Sequence, residues 1–387
     1  MRFRKFGELN WETSLLGFGC MRLPITGASD QQEINESEAT QMLHYAIDQG
    51  VNYLDTAYTY HNGNSERFLG RALQGGYRQR VYLATKLPCW LVNTSEDFDK
   101  YLNEQLEKLH TDYLDFYLFH SLNQDSWAKI LSLNILKQAE KALVDGRIRH
   151  LGFSFHDSYD VFKDIVDGYD GWSFCQIQYN YMDVEIQAGT KGLQYAAAKG
   201  LAVVIMEGIR GGQLVNPPPE VQQLWDSSER KRAPADWALQ WLWNQPEVTL
   251  VLSGMSTMEQ VIQNIASADL ANVNTLSTEE LALVDHVRMK YTELVQIPCT
   301  DCKYCLPCPN GVQIPRNFAI YNEGAMYNVL ERSRGAYSQW LSEKERASAC
   351  LECLECEEKC PQHIPISTWM PIVQGVLGEG QPYGEKP

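Results

Sequence analysis

The sequence predicts an α/β fold, a (β/α)8 TIM barrel followed by a smaller α-helical module that binds metal. Three observations predict it. Short apolar runs alternate with amphipathic stretches eight times, the pattern of parallel βα units. Three of these runs finish on chemistry: NYLDTAYTY carries Asp55 and Tyr60, VYLATK closes on Lys86, and YLDFYLFH closes on His120. A buried strand has no structural need for such endings, whereas the C-terminal mouth of a barrel is where its chemistry sits. Finally, only Cys20, Cys89 and Cys175 precede residue 299, and the remaining cysteines crowd into residues 299–360.

Residues 1–13 read as a polar hairpin at the barrel floor, and SLLGFGCMRL is the first barrel strand. A helix over 36–49 leads into the second strand at 53–55. A helix over 65–73 leads into the third at 81–85. Phe98, Leu102, Leu106 and Leu109 recur at helical spacing, so a helix over 96–109 precedes the fourth strand at 113–119. The next helix spans about 127–144 and stops at Asp145-Gly146. HLGFSF, FCQIQYN, LAVVIME and VTLVLSG are strands five to eight. The segment after strand seven is long and carries Pro217, Pro218 and Pro219, a stiff extended run. It reads equally as a lid over the mouth or as a surface insertion. Trp237 and Trp241, one turn apart, read as wall packing. A helix over 276–294, with Ser277 as cap and Glu280 three residues on, leaves the barrel. The expected domains are 1–290 and 291–387.

Lys plus Arg number 33 against 49 Asp plus Glu, a net charge of −16. That balance argues against nucleic acid and against an anionic membrane surface as partners. No apolar run is long enough to span a bilayer. MRFRKFGELN lacks the apolar core of a signal peptide. Scattered single thiols beside a dense cluster indicate a reducing compartment and a metal module rather than a disulfide framework. A cytoplasmic protein is expected.

The motifs LGFGCMRLP, LDTAYTY, NSERFLGRAL, ATKL, LHTDYLDFYLFH, DGRIRHLGFS and QIQYN occur in the order, and near the spacings, of the aldo-keto reductases, and the chain resembles that family from its start to about residue 268. The resemblance puts the family's catalytic positions on Asp55, Tyr60, Lys86 and His120. It implies nicotinamide-dependent reduction of an aldehyde or ketone, or oxidation of an alcohol. Each residue then has a physical task. Tyr60 supplies the proton, although an isolated tyrosine has a pKa of about 10, too high for acid work near neutrality. Lys86 is expected to lower that value, Asp55 to hold Lys86 in place and charged, and His120 to polarise the substrate oxygen.

The same resemblance places nicotinamide contacts at Ser154 and Gln176, with Met206 where the family carries an aromatic that stacks on the ring. After strand eight the family has basic residues for a ribose 2′-phosphate. Here Ser253, Gly254, Met255 and Asn264 fall in a stretch with no Lys or Arg from 253 to 264. Backbone N–H groups at the start of the last helix, around 254–257, can still hold phosphate. A 2′-phosphate normally wants Arg or Lys. NADH, NADPH and a flavin such as FMN therefore stay open. Arg210 reads either as a phosphate ligand or as a surface charge.

In the tail, CTDCKYCLPCP supplies Cys299, Cys302, Cys305 and Cys308, and CLECLECEEKCP supplies Cys350, Cys353, Cys356 and Cys360. The second run matches the bacterial ferredoxin pattern and the first departs by one residue in its last gap. Structural zinc sites usually pair two CxxC units, so two 4Fe–4S clusters are the expectation. Resemblance to two-cluster ferredoxins implies that each Cys-Pro cysteine crosses over. Cys299, Cys302, Cys305 and Cys360 would then share one cluster, and Cys308, Cys350, Cys353 and Cys356 the other. Helices over 318–331 and 337–350 make the module resemble an α-helical ferredoxin.

A hydride carries two electrons and such a cluster ordinarily passes one. Three arrangements follow: a barrel that works alone beside structural or sensing clusters, a flavin as converter, or an electron-transfer subunit for a redox partner protein.

Overall fold

The computed structural model describes residues 1–27 and 33–384. The strands are β1 (Phe3–Lys5), β2 (Glu12–Ser14), β3 (Leu16–Gly19), β4 (Tyr53–Asp55), β5 (Tyr82–Leu87), β6 (Leu114–Leu122), β7 (Ile148–Phe155), β8 (Phe174–Gln178), β9 (Ala202–Met206) and β10 (Leu250–Ser253). β3 to β10 close into an eight-stranded parallel barrel, with β10 paired to both β9 and β3. β1 and β2 form the predicted antiparallel hairpin. Its turn drives Phe6, fully buried, into the barrel floor against Tyr53, Phe116 and Phe174. The floor is thus a packed aromatic plug, and chemistry is confined to the other end.

The helices are α1 (Glu36–Asp48), α2 (Asn64–Ala72), α3 (Asp97–Lys108), α4 (Gln124–Ser132), α5 (Ile135–Val144), α6 (Tyr159–Asp167), α7 (Gly189–Ala198), α8 (Pro219–Ser227), α9 (Pro234–Trp243), α10 (Met258–Leu270), α11 (Thr278–Glu293), α12 (Ile314–Met326), α13 (Leu330–Trp340), α14 (Glu355–Glu358) and α15 (Ile366–Gly378). The single helix expected over 127–144 is two, α4 and α5. Asn134 takes φ 53° between them, a left-handed break that periodicity does not reveal. Trp237 is fully buried and Trp241 packs on Tyr179, as wall residues should. Among the described residues no helix is long and apolar enough to cross a membrane.

The chain forms two compact units. One comprises Met1–Arg210 with Asp236–Ser277, and the other Gly211–Ala235 with Thr278–Pro387. These compact units part at residue 277, because α11 packs against α8 of the long segment after β9. That segment is neither a free lid nor a bare insertion; it is built into the second unit. Pro218 is extended, with φ −56° and ψ 155°, and Pro219 opens α8. The second unit has its own core, including Ile297, Phe318, Tyr337, Met370 and Val373. Its helices differ from the expected 318–331 and 337–350. α12 ends by Tyr327, Asn328 turns left-handed with φ 53°, and α13 stops at Trp340.

Candidate active site and cysteine cavities

The period of two along a strand builds the mouth. Tyr53, Ala84, Leu118, Phe174 and Val204 belong to the apolar layer inside the barrel. Two residues further on, the same faces carry Asp55, Lys86, His120, Gln176 and Met206. Ser154 likewise follows Gly152. The parallel register sets Asp55 opposite Ala84 and Lys86 opposite Leu118. β6 is irregular against β7 between Phe119 and Leu122, and Ser121 takes φ 60°. Such a bulge re-aims a side chain, here at His120.

Lys86 is buried, and its Nζ donates to Asp55 Oδ1 at 2.7 Å, to the Thr56 carbonyl at 2.8 Å and to Tyr60 Oη at 3.3 Å. Tyr60 enters from the turn after β4. Its ring meets His120 edge-on, with centroids 6.2 Å apart, and Trp90 lies 5.1 Å from His120 on another side. Burial pulls the Lys86 pKa down, but Asp55 and Tyr60 outweigh it and leave the amine above its ordinary value. Asp55 is raised by burial, against the opposing pull of Lys86. Tyr60 differs from expectation. Burial raises its pKa more than Lys86 lowers it, with the Asp55 carboxylate adding to the rise, so the phenol keeps its proton. Burial, Lys86 and His156 hold His120 well below its ordinary value, so it is a neutral imidazole.

The remaining predicted positions behave differently from one another. Ser154 Oγ accepts the Ser121 N–H at 2.7 Å. Gln176 is 2% exposed; its Nε2 lies 3.7 Å from Met206 Sδ, and its Oε1 has no hydrogen-bond partner. An orphaned carbonyl at the mouth suits a carboxamide donor. Arg210 is tied up instead, its Nε donating to Asp183 at 3.1 Å. Ser253 Oγ accepts from Asn264 at 3.0 Å, and Met255 is buried in the core. The amide of Ser256 already donates to Gln260 Oε1, which removes one of the N–H groups expected to face phosphate. Cys20 and Cys89 are buried, and burial holds both thiols protonated.

Arg22 is the residue that sequence reasoning passed over. It is exposed, its carbonyl accepts from Ser256 Oγ at 2.7 Å, and a Cβ on Gly254 would meet its side-chain carbons at 3.3 Å. The aliphatic stem of an arginine from the loop after β3 therefore lies against Gly254, in the loop before α10. The search for basic residues after β10 could not see it, because the neighbour is distant in sequence.

The eight tail cysteines gather around two cavities. Cys299, Cys302, Cys305 and Cys360 line one, with Ile314, Phe318 and Ile364. Cys308, Cys350, Cys353 and Cys356 line the other, with Val312, Leu351 and Leu354. Each Cys-Pro cysteine thus faces the three thiols of the other run. Burial and neighbouring thiols push Cys305 up to about 11, and burial with the neighbouring Glu357, Cys350 and Cys353 does the same to Cys356. Thiols that crowd together in an apolar setting need bound cations before they ionise together. This donor set fits two clusters.

Comparison with known proteins divides the chain between residues 288 and 298. The model of the aldo/keto reductase family matches residues 15–288, and that of the 4Fe-4S dicluster domain matches residues 298–364. The uncharacterized oxidoreductase YqkF of Bacillus subtilis is 27% identical over 321 residues, covering 74% of this chain and 97% of that protein. The L-galactose dehydrogenase of Arabidopsis thaliana is 25% identical over 306 residues, 74% of this chain and 94% of that one. Among solved structures, the holo form of aldo-keto reductase AKR11C1 from Bacillus halodurans superposes with a TM-score of 0.61 at 25% identity. It covers 74% of this chain and 96% of its own.

Proposed function

The chain belongs to the aldo/keto reductase family and carries a 4Fe-4S dicluster domain, and from that premise we propose that the barrel reduces an aldehyde or ketone, or oxidises the alcohol, with Tyr60 as acid and base. A bound nicotinamide supplies or accepts the hydride. Ser154 and Gln176 would hold its carboxamide, and the unpaired Gln176 Oε1 is the observation that supports this. Arg22, whose stem lies against Gly254, would supply a cation to the phosphates of a dinucleotide. This cation makes a dinucleotide workable without choosing between NADH and NADPH.

The observation that carries the reading is the set of hydrogen bonds from Lys86 Nζ to both Asp55 and Tyr60 at the barrel mouth. Tyr60, protonated by virtue of its burial, donates to the carbonyl oxygen as negative charge develops there. The Lys86 ammonium stabilises the phenolate left behind, and Asp55 keeps that ammonium in place. His120, neutral, steers the oxygen toward Tyr60. Trp90 and the Tyr60 ring flank His120 and favour an apolar substituent on the carbonyl.

In the second unit the two cysteine quartets hold one 4Fe–4S cluster each. Cluster ligation by these thiolates requires a compartment that keeps them reduced, and a cytoplasmic location fits this reading. The test of the barrel chemistry is Tyr60→Phe. Carbonyl reduction should fall by about 100-fold or more, while nucleotide still quenches tryptophan fluorescence. Retained reduction would reject Tyr60 as the acid.

A further inference from the structure

The residue after Tyr60 takes no part in proton transfer, yet it is built into the mouth in an unfavourable conformation. His61 has φ 50° and ψ 46°, the left-handed region that favours glycine, and is 7% exposed. Strain of this kind persists only where the surroundings over-determine it. Besides its packing, His61 is held by a hydrogen bond: its Nε2 accepts the backbone N–H of Leu23 at 3.2 Å. The contact fixes the tautomer with the proton on Nδ1, and burial keeps the ring neutral by lowering its pKa.

Leu23 is the far end of a short strap. At the near end, the Cys20 N–H donates to the Asp55 carbonyl at 2.8 Å and the Cys20 carbonyl accepts from Ser65 Oγ at 3.1 Å. Arg22 lies between these two anchors. Its carbonyl takes Ser256 Oγ, and its side chain lies against Gly254. The imidazole therefore links the turn that carries Tyr60 to the loop that opens α10.

We propose that His61 is a positioning residue for dinucleotide binding: by anchoring the Leu23 amide it holds Arg22 at the phosphate end of the site. The proposal rests on the nicotinamide reading given above. It predicts a defect mainly in cofactor affinity, since the imidazole hydrogen-bonds the Leu23 amide beside Arg22 and not the Tyr60 hydroxyl or Lys86.

The test is His61→Gly. Glycine adopts φ 50° without strain, so the turn survives and only the acceptor is lost. Three readouts apply. Amide hydrogen exchange in the peptide spanning Leu23, measured without nucleotide, should quicken. The dissociation constants for NADH and NADPH should rise by about tenfold for whichever binds the wild type, and the loss should read in the nucleotide KM rather than in kcat. His61→Gln, which returns a carbonyl acceptor, should recover part of the affinity. Arg22→Gln should weaken binding similarly, and the double variant should be no weaker than Arg22→Gln alone. Faster exchange with unchanged affinity would overturn the cofactor role and leave His61 structural, and unchanged exchange would overturn the anchor itself. A wild-type protein that binds neither nucleotide would overturn the nicotinamide reading, and the role of His61 with it. Wild-type binding with an unaffected His61→Gly variant overturns His61 alone.

Discussion

Taking an ammonium out of water costs several kcal/mol unless acceptors replace the lost solvent, and Lys86 has Asp55, the Thr56 carbonyl and Tyr60 in that role. The gathering of Asp55, Tyr60, Lys86 and His120 at one mouth was legible in the sequence because such residues have no structural business at the ends of apolar strands. The sign of the Tyr60 shift was not, because it depends on how deeply the phenol is buried. The consequence is measurable. In the role proposed for Tyr60, reduction would need the phenol and oxidation the phenolate, and the Tyr60 pKa is raised. In rate profiles from about pH 6 to 11, kcat/KM for reduction should stay level through neutrality and fall only in the alkaline range. That for alcohol oxidation should climb as pH rises. Lys86 is the group that lowers this pKa, so Lys86→Met should move the oxidation limb further toward alkali. Arg22 could not be found from sequence, since its relation to Gly254 exists only after the barrel closes.

At the scale of elements, β5 is gripped from behind. Glu66 of α2 is fully buried, and its Oε1 accepts from Thr85 Oγ1 at 2.6 Å and from Gln105 Nε2 at 2.5 Å. Gln105 also donates to the Lys86 carbonyl at 3.0 Å, and its own Oε1 accepts from Tyr117 of β6 at 2.7 Å. One amide thus ties α2 and α3 to the strands that deliver Lys86 and His120. Replacing Gln105 by Leu leaves the buried Tyr117 hydroxyl without its acceptor and takes one of two hydrogen bonds from the buried Glu66 Oε1. We expect a loss of about 1–3 kcal/mol in denaturant unfolding. A fall of about tenfold in kcat should accompany it, from loosened placement of Lys86. A variant with wild-type kcat would show that the strand is held without the amide. The elements themselves were readable where periodicity was long, and were misjudged where an asparagine turned left-handed. Asn134 splits α4 from α5 and Asn328 separates α12 from α13. Asparagine tolerates that conformation, so its place in a helical pattern was the available signal.

For the whole molecule, the barrel and the paired cysteine runs were both legible, one from eight repeats of a pattern and the other from spacing. The grouping of Cys360 with the first run and Cys308 with the second came from resemblance, and the thiols do gather that way. A nicotinamide hands over an electron pair and a 4Fe–4S cluster takes electrons singly, so the two units should not exchange electrons unaided. Anaerobic protein should therefore contain about eight irons per chain and no flavin, and its cluster absorbance should survive addition of NADH or NADPH. Bleaching by either nucleotide would require a converter such as flavin between them. The membership of 211–235 in the second unit was beyond sequence reading, because nothing local in that segment records which helix will cover α8.

That membership bears on how the protein can be dissected. A stop codon after Ser277 is the obvious way to obtain the barrel alone, yet it removes α11 and leaves α8 behind. Val221 and Trp225, now buried, would lose their partner helix and face water on every copy. Such a truncated chain should be sticky rather than a well-behaved reductase. An excision that keeps the barrel tidy has either to retain α11 with α8 or to replace residues 211–235 with a short turn as well, so the second compact unit enters this chain at two points.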